Sequence, residues 1–270
     1  MVLSTLSTTS IEQIAEMGGH EKAGLWFQLY MYRNRDLTKA LLERVEAQGF
    51  QAIVFTVDAP VFGRRLADCR SRFQLPPHLK LPNFEGMRAA DLPGNTPTTP
   101  KSAPIFNTVS EFIDPSITWE SLTWLKANTK LPVLVKGVMC ADDAEKAIAL
   151  GADGVVVSNH GGRQLDGVPA TIEALPMVAK AVAGRIPILV DGGIRRGSDV
   201  LKALALGATM VLVGRPVIFG LAVAGADGVQ RVVEIYKDEL TRAMALSGAI
   251  DTNNVPQSLV IHRRKLEKMI

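Results

Sequence analysis

Cysteine is scarce in this chain, and its scarcity excludes more than it supplies. Cys69 and Cys140 are the only two among 270 residues. No CxxC spacing joins them, which argues against a zinc site and against a disulfide scaffold. Histidine is nearly as rare, and His20, His78, His160 and His262 fall at no metal-ligand spacing. Charge of one sign is missing as well. Thirty Lys and Arg against 27 Asp and Glu leave a net charge of +3, with no basic block. Basic and aromatic residues do not alternate either, so nucleic acid is not an expected partner. No continuous run approaches the ~20 apolar residues of a membrane span, and Met1 opens no charged-then-apolar signal segment. The closing residues, Leu266 to Ile270, match no peroxisomal tripeptide. These absences lead to the expectation of a soluble protein, cytoplasmic or in another intracellular compartment, without a membrane segment.

What is present is a regular alternation. Short apolar runs read as strands at 2–4, 25–30, 52–58, 132–136, 154–158, 187–191 and 210–214. Amphipathic stretches between them read as helices at 10–17, 36–48, 119–128, 141–150, 171–183 and 196–206, with a last one at 228–246. Thr118 and the acids after Ala141 look like helix starts, and Gly151 and Gly207 like left-handed helix ends. Alternating βα units make a parallel sheet, open or closed. Polar residues end almost every strand, which favours a (β/α)8-type barrel, since a barrel gathers all its strand ends at one mouth. A length of 270 residues suits one such domain over 1–270. Only seven strands are countable, so the barrel reads as incomplete at its N-terminal side. Pro76, Pro77, Pro82, Pro93, Pro97, Pro100 and Pro104 interrupt the pattern, and 74–115 reads as a long flexible loop. It is expected to be a flap over the mouth, with a passive insertion as the alternative.

The most informative run is Ser158-Asn159-His160-Gly161-Gly162-Arg163-Gln164-Leu165-Asp166, directly after Gly154-Val155-Val156-Val157. It puts a histidine and an arginine just past the end of a buried strand, where α/β folds carry their reactive groups. Histidine moves a proton near neutral pH, and arginine can fork onto a carboxylate. The plain alternative is a strand-end turn whose His and Arg meet only solvent.

Later come Val190-Asp191-Gly192-Gly193-Ile194-Arg195-Arg196-Gly197 and Val213-Gly214-Arg215-Pro216. Glycines at two consecutive late strand ends, beside arginines, expose backbone N–H groups suited to phosphate. Neither run fits GxGxxG or a Walker loop. Ordinary tight turns remain the alternative.

Together these residues fit one task. Arg65 and Arg163 are candidates to grip a substrate carboxylate, His160 to take a proton, and Asp58 to raise the affinity of His160 for it. Lys136 is a candidate to face negative charge developing on a bound ring. A plain Asp58–Lys136 ion pair at the rim is the competing reading, and Gln28 and Tyr30 are otherwise ordinary strand-end polar residues.

From Val2 to about Met244 the chain resembles the FMN-dependent α-hydroxy acid dehydrogenases and oxidases, the group of glycolate oxidase and lactate oxidase. The matching runs are Trp26-Phe27-Gln28-Leu29-Tyr30, Thr56-Val57-Asp58-Ala59-Pro60, Gly63-Arg64-Arg65, Leu134-Val135-Lys136-Gly137, Ser158 to Asp166, and Asp191 to Gly197. The resemblance implies oxidation of an L-2-hydroxy acid (lactate, glycolate or longer) to the 2-oxo acid while FMN is reduced, with O2 or another acceptor closing the cycle. It makes His160 the base, Asp58 its partner, Arg65 and Arg163 the carboxylate ligands, and Tyr30 a ligand of the substrate oxygens. Lys136 would lie near the flavin N1/O2 edge. Ser4, Gln28, Thr56 and Ser158 would contact the flavin or ribityl chain, and Asp191, Gly193, Arg195, Gly214 and Arg215 the ribityl and phosphate. It further implies a homo-oligomer, a tetramer in the family.

The resemblance also sets an expectation at the front. Family members carry a βα unit before the strand that 2–4 matches, with a flavin-contacting strand end and a substrate tyrosine. Nothing here replaces them. Two alternatives follow: a non-catalytic remnant or assembly partner with weak or no FMN binding, or another phosphate-binding barrel such as a nucleotide dehydrogenase or isomerase. The Ser158 to Asp166 run argues against the last. Leu6 stands where glycolate-type members carry a bulkier aromatic, which implies room for larger acids.

Overall fold

The structure, a computed structural model, describes residues 1–18, 24–71, 74–85 and 112–267. Most of the 74–115 stretch, residues 86–111, lies outside the described residues. Sequence suggests one domain over 1–270, whereas the packing groups the chain into two compact units. The first holds Met1–Lys136, Ala147–Asp153 and Arg163–Leu165; the second holds Gly137–Lys146, Gly154–Gly162 and Asp166–Ile270. The chain passes from one to the other more than once, so these are not successive domains.

The first unit contains β1 (Val2–Ser4), β2 (Trp26–Leu29), β3 (Ala52–Thr56) and all but the last residues of β4 (Val133–Val138). Neighbouring strands pair in parallel, with Ser4 opposite Gln28 and Thr56 opposite Lys136. Parallel pairing puts the C-terminal ends of these strands along one edge, and the polar residues expected there share that edge. All five residues of β3 are buried, as its unbroken apolar run requires. The helices are α1 (Ile11–Gly18), α2 (Arg35–Ala47), α3 (Leu66–Ser71) and α4 (Trp119–Ala127). Asn34 starts α2 by accepting from Asp36 N at 2.9 Å and Leu37 N at 3.4 Å. Thr118 and Ser121 cap α4 reciprocally. Leu41, Leu42 and Val45 of α2 are fully buried, as are Phe27, Leu29 and Ile53 of the strands. Each such side chain contributes about 1.5–3 kcal/mol of burial.

The described ends of the 74–115 stretch are pinned in place. Pro82–Phe84 forms a 3-10 turn where the prolines suggested no regular structure. Its buried Asn83 accepts from Ile11 N and donates to Thr5 O, both at 3.0 Å. Farther on, Ile113 bridges Tyr32, and Asp114 pairs with Arg35 at 2.6 Å.

The second unit contains β5 (Gly154–Val157), β6 (Ile188–Val190) and β7 (Met210–Val211), again parallel and in order. Its helices are α6 (Thr171–Val182), α7 (Gly197–Ala205), α8 (Arg215–Ser247) and the short α9 (Arg263–Leu266), while α5 (Ala141–Ala149) has residues in both units. Gly151 and Gly207 end their helices with positive φ, 82° and 102°, as expected. The reading of a last helix over 228–246 needs correction, because α8 begins at Arg215. Pro216 is well placed in its first turn, and a break at Ala224 and Gly225 hides the front half from a periodicity reading. By length and composition α8 is the one helix among the described residues that could cross a membrane, and little of it is buried. Asp227 and Arg231 interrupt its apolar residues, so the helix holds no continuous apolar run of ~20 residues. Seven parallel strands among the described residues, alternating with helices, make this an α/β chain of incomplete (β/α)8-barrel type.

Candidate functional site

Among the sequence-selected residues of the first unit, Ser4, Gln28, Tyr30, Thr56 and Asp58 stand at or just beyond strand ends, Lys136 lies within β4, and Arg65 and Arg163 lie in loops farther on. Ser4, Gln28 and Thr56 form a hydrogen-bonded row across β1, β2 and β3. Gln28 Oε1 accepts from Ser4 Oγ at 3.4 Å, and Gln28 Nε2 donates to Thr56 Oγ1 at 3.1 Å. Thr5 N also donates to Gln28 Oε1, and Leu6 N to Ser4 Oγ. Lys136 Nζ lies 3.9 Å from Asp58 Oδ2, with both side chains largely buried. The ion-pair reading of these two is therefore realised, in a sheltered place rather than on an open rim.

Beside this pair lies a tyrosine between charges of both signs. Tyr30 is 7% exposed, and its ring meets Phe62 edge-on at 6.1 Å. Burial first, and then the Asp58 carboxylate, push the Tyr30 hydroxyl up to about 12, against the opposing pull of Arg65 and Arg163. Its proton therefore stays on at neutral pH, making the group a hydrogen-bond donor. Burial, and next the Arg163 guanidinium, lower the pKa of Arg65, whose own guanidinium covers Phe62 at 5.2 Å. Two cations near one another and near a phenol donor suit a carboxylate that carries a neighbouring oxygen. Tyr30, Asp58, Arg65, Lys136 and Arg163 are thus brought near one another in the first unit.

The second unit builds a different surface, mostly from backbone. After β5 the chain turns through His160, Gly161 and Gly162, all at positive φ. Positive φ is uncommon for a non-glycine residue, so His160 is held in a selected conformation. Ser158 Oγ accepts from His160 N at 3.1 Å and donates to Asp191 Oδ2 at 2.9 Å. Asn159 secures the turn from inside, since its Oδ1 accepts from Gly162 N. Gly192 and Gly193, also at positive φ, follow β6, and Thr171 Oγ1 bonds to the Asp191 carbonyl beneath them. Arg215 donates to the Gly161 carbonyl at 2.8 Å.

These pieces line one cavity of about 440 Å³, bounded by Gly161, Gly162, Gly193, Arg195, Lys202 and Arg215 among others. Of the residues selected for phosphate, Gly193, Arg195 and Arg215 line it. Ser158 and Asp191 are not among its lining residues, and Gly214 caps α8 without lining it either. Sequence reasoning passed over Asn159, Thr171, Asp199 and Lys202. Asp199 accepts from the backbone N–H groups of Arg195 and Arg196 at 3.1 Å, which fixes the arginine loop. An Asp three residues beyond a predicted helix start was the available signal.

A (β/α)8-type chain with Arg65 and Arg163 near a buried tyrosine, and with a glycine-lined cavity edged by cations, has the features of barrels that hold a phosphorylated ligand. Comparison with known proteins makes this specific: the FMN-dependent dehydrogenase family matches residues 1–262, and the chain belongs to that family. It is similar to 2-hydroxyacid oxidase 1 of Mus musculus, 49% identical over 261 residues, covering 96% of this chain and 69% of that protein. L-lactate oxidase of Nostoc sp. is 47% identical, with 96% and 70% covered. Among solved structures, a mandelate oxidase bound to (S)-2-phenylpropionate superposes with a TM-score of 0.80 at 43% identity, covering 95% of this chain and 67% of that one.

The cofactor of this family is FMN, and the second unit fits its phosphate end. A Cβ added at Gly162 or Gly193 would meet nothing within 4 Å, so the cradle floor is open. The cations of Arg195, Lys202 and Arg215 line the same space.

Proposed function

We propose that this chain oxidises an L-2-hydroxy acid to the corresponding 2-oxo acid, with FMN as its cofactor. The observation that carries the reading is Tyr30, a buried, protonated phenol set among Arg65, Arg163 and Asp58. In this reading Arg65 and Arg163 grip the substrate carboxylate, and the Tyr30 hydroxyl donates to the oxygen on the neighbouring carbon. His160 takes one of the two protons released when the C–H and O–H hydrogens leave, on an imidazole nitrogen. Asp58 stabilises the imidazolium that results. Bound FMN supplies the acceptor for the two electrons and the other hydrogen. Lys136 would supply positive charge beside the bound ring, and Ser4, Gln28, Thr56 and Ser158 would contact the ring or ribityl chain. Gly193, Arg195 and Arg215, which line the cavity, would hold the phosphate end with Asp191 and Gly214 beside them. The substrate class spans glycolate, lactate and longer acids, as the names of the relatives suggest. Their oxidase names also support O2 as the final acceptor.

The test is an absorption spectrum of the purified chain with and without FMN, followed by anaerobic L-lactate. A flavin band that appears on mixing and bleaches with lactate supports the reading. His160→Ala should retain the band and bleach about 10²–10⁴-fold more slowly, the usual contribution of a positioned base. A protein indifferent to FMN overturns the reading in favour of a non-catalytic role, and near-normal bleaching in the variant overturns the role of His160.

A further inference from the structure

Gln164 carries no role in the chemistry above, yet its side chain makes three hydrogen bonds to a single loop. Its Oε1 accepts from Gly63 N at 3.0 Å. Its Nε2 donates to the carbonyl oxygens of Asp58 at 2.8 Å and Val61 at 2.9 Å. That loop runs from Asp58 at the end of β3 towards Arg65, and all these residues belong to the first unit. The two backbones also meet directly. A Cβ on Gly63 would lie 2.3 Å from Arg163 O and 2.8 Å from the Gln164 Cα, so only glycine permits the contact.

We propose that Gln164 is a positioning residue. It staples the 58–63 loop to the segment bearing Arg163, and so fixes the spacing of the two arginines and the place of Asp58 beside Tyr30. The chemistry of the contact selects glutamine. The loop offers one N–H and two carbonyls, so the partner must accept once and donate twice from one planar end. Glutamate cannot donate when ionised, lysine cannot accept, and leucine does neither. Asparagine has the right group but falls one methylene short. A grip that must meet a carboxylate with two forked cations tolerates little drift, because misplacement by about 1 Å can cost on the order of 10²-fold in rate.

This inference rests on the hydroxy-acid reading, and its test separates the two. Gln164→Leu, Gln164→Glu and Gln164→Asn are compared with the parent, each loaded with FMN. Oxalate affinity is read from the flavin spectrum, and KM and kcat from L-lactate turnover. Gly63 amide exchange is read by NMR, which needs neither flavin nor substrate. The Leu variant should weaken oxalate and raise the lactate KM by roughly 10–100-fold, with kcat falling as well because Asp58 moves with the loop. Its FMN affinity should stay within about twofold, as for a distant independent site. Gly63 exchange should accelerate in the Leu variant. In the Glu variant it should stay slow, because the acceptor remains, while oxalate still weakens as a carboxylate oxygen faces two carbonyls. If the Leu variant fails to fold, Asn and Glu carry the comparison. Unchanged Gly63 exchange in Leu or Asn overturns the staple. Faster exchange with oxalate and KM held within about twofold overturns its positioning role. A parent that binds FMN but ignores oxalate overturns the carboxylate reading, and the positioning role falls with it.

Discussion

The two units hold charge in opposite ways. In the first, long side chains at strand ends do the work. Burial, and after it the Asp58 carboxylate, push the Tyr30 hydroxyl up to about 12 against the opposing pull of Arg65 and Arg163, while Lys136 pairs with Asp58. In the second, the surface is backbone: four glycines at positive φ, a histidine forced into the same region, and cations around the edge of a cavity. The first arrangement centres on the sheltered Tyr30, Asp58 and Lys136 and is sensitive to spacing, because charges act on one another more strongly across partly dry distances. The second is open and forgiving, because dipoles and cations spread over a cradle accept an anion from several directions. A substrate that must be distinguished and released suits the former. A phosphate that only has to be held suits the latter.

That contrast is broken most sharply by removing one cation from each side. Arg163→Met should cut kcat/KM for L-lactate by roughly 10²–10⁴-fold, the loss of charge-assisted bonds to a carboxylate, with flavin affinity unchanged. Arg215→Ala should do the reverse, weakening FMN by about 10–100-fold while the lactate KM of the saturated protein holds. Steady-state kinetics and flavin titration on both variants decide it. If either variant moves both quantities together, the two surfaces are energetically one, and the division of labour is wrong.

How much of this was legible beforehand follows the same division. Side chains that act by their own charge announced themselves by type and place. His160, Arg163, Asp58 and Lys136 follow apolar strands, and the strands lie where the apolar runs put them. Glycine pairs announced the cradle, since few other residues tolerate positive φ. Three things were hidden. Gln164 acts on backbone groups of a loop about a hundred positions away, and nothing in its local sequence points there. Asn83 is similar: a polar residue among prolines that is fully buried because it closes the ends of β1 and α1. The front half of α8 was missed because Gly225 breaks the helical period, so the apolar residues Ile218, Phe219, Leu221 and Val223 read as irregular chain although they are helical and exposed. Long-range backbone partners leave no periodic trace, which is why sequence patterns find elements and charges more readily than staples.

The smallest effect expected is also the cleanest probe of the first unit, because it needs neither cofactor nor substrate. Tyr30 titrates near 10 in the unfolded chain and is pushed up to about 12 when folded, by burial and then by Asp58. Below pH 10 both states hold the proton, so the stability tied to the neutral phenol is fully present. Between about pH 10 and 12 the unfolded chain loses its proton first, which favours unfolding, and the stability drains away as pH rises. A shift of this size corresponds to on the order of 3 kcal/mol. Tyr30→Phe has nothing to titrate at that position, and its lysines and remaining tyrosines match those of the parent. Denaturant unfolding of both proteins from pH 9 to 11.5 should therefore show the parent losing its margin over the variant as the pH climbs. Parallel curves would mean that Tyr30 is solvated, and that the closely packed first unit, on which the contrast between the two surfaces depends, is not closed around its tyrosine.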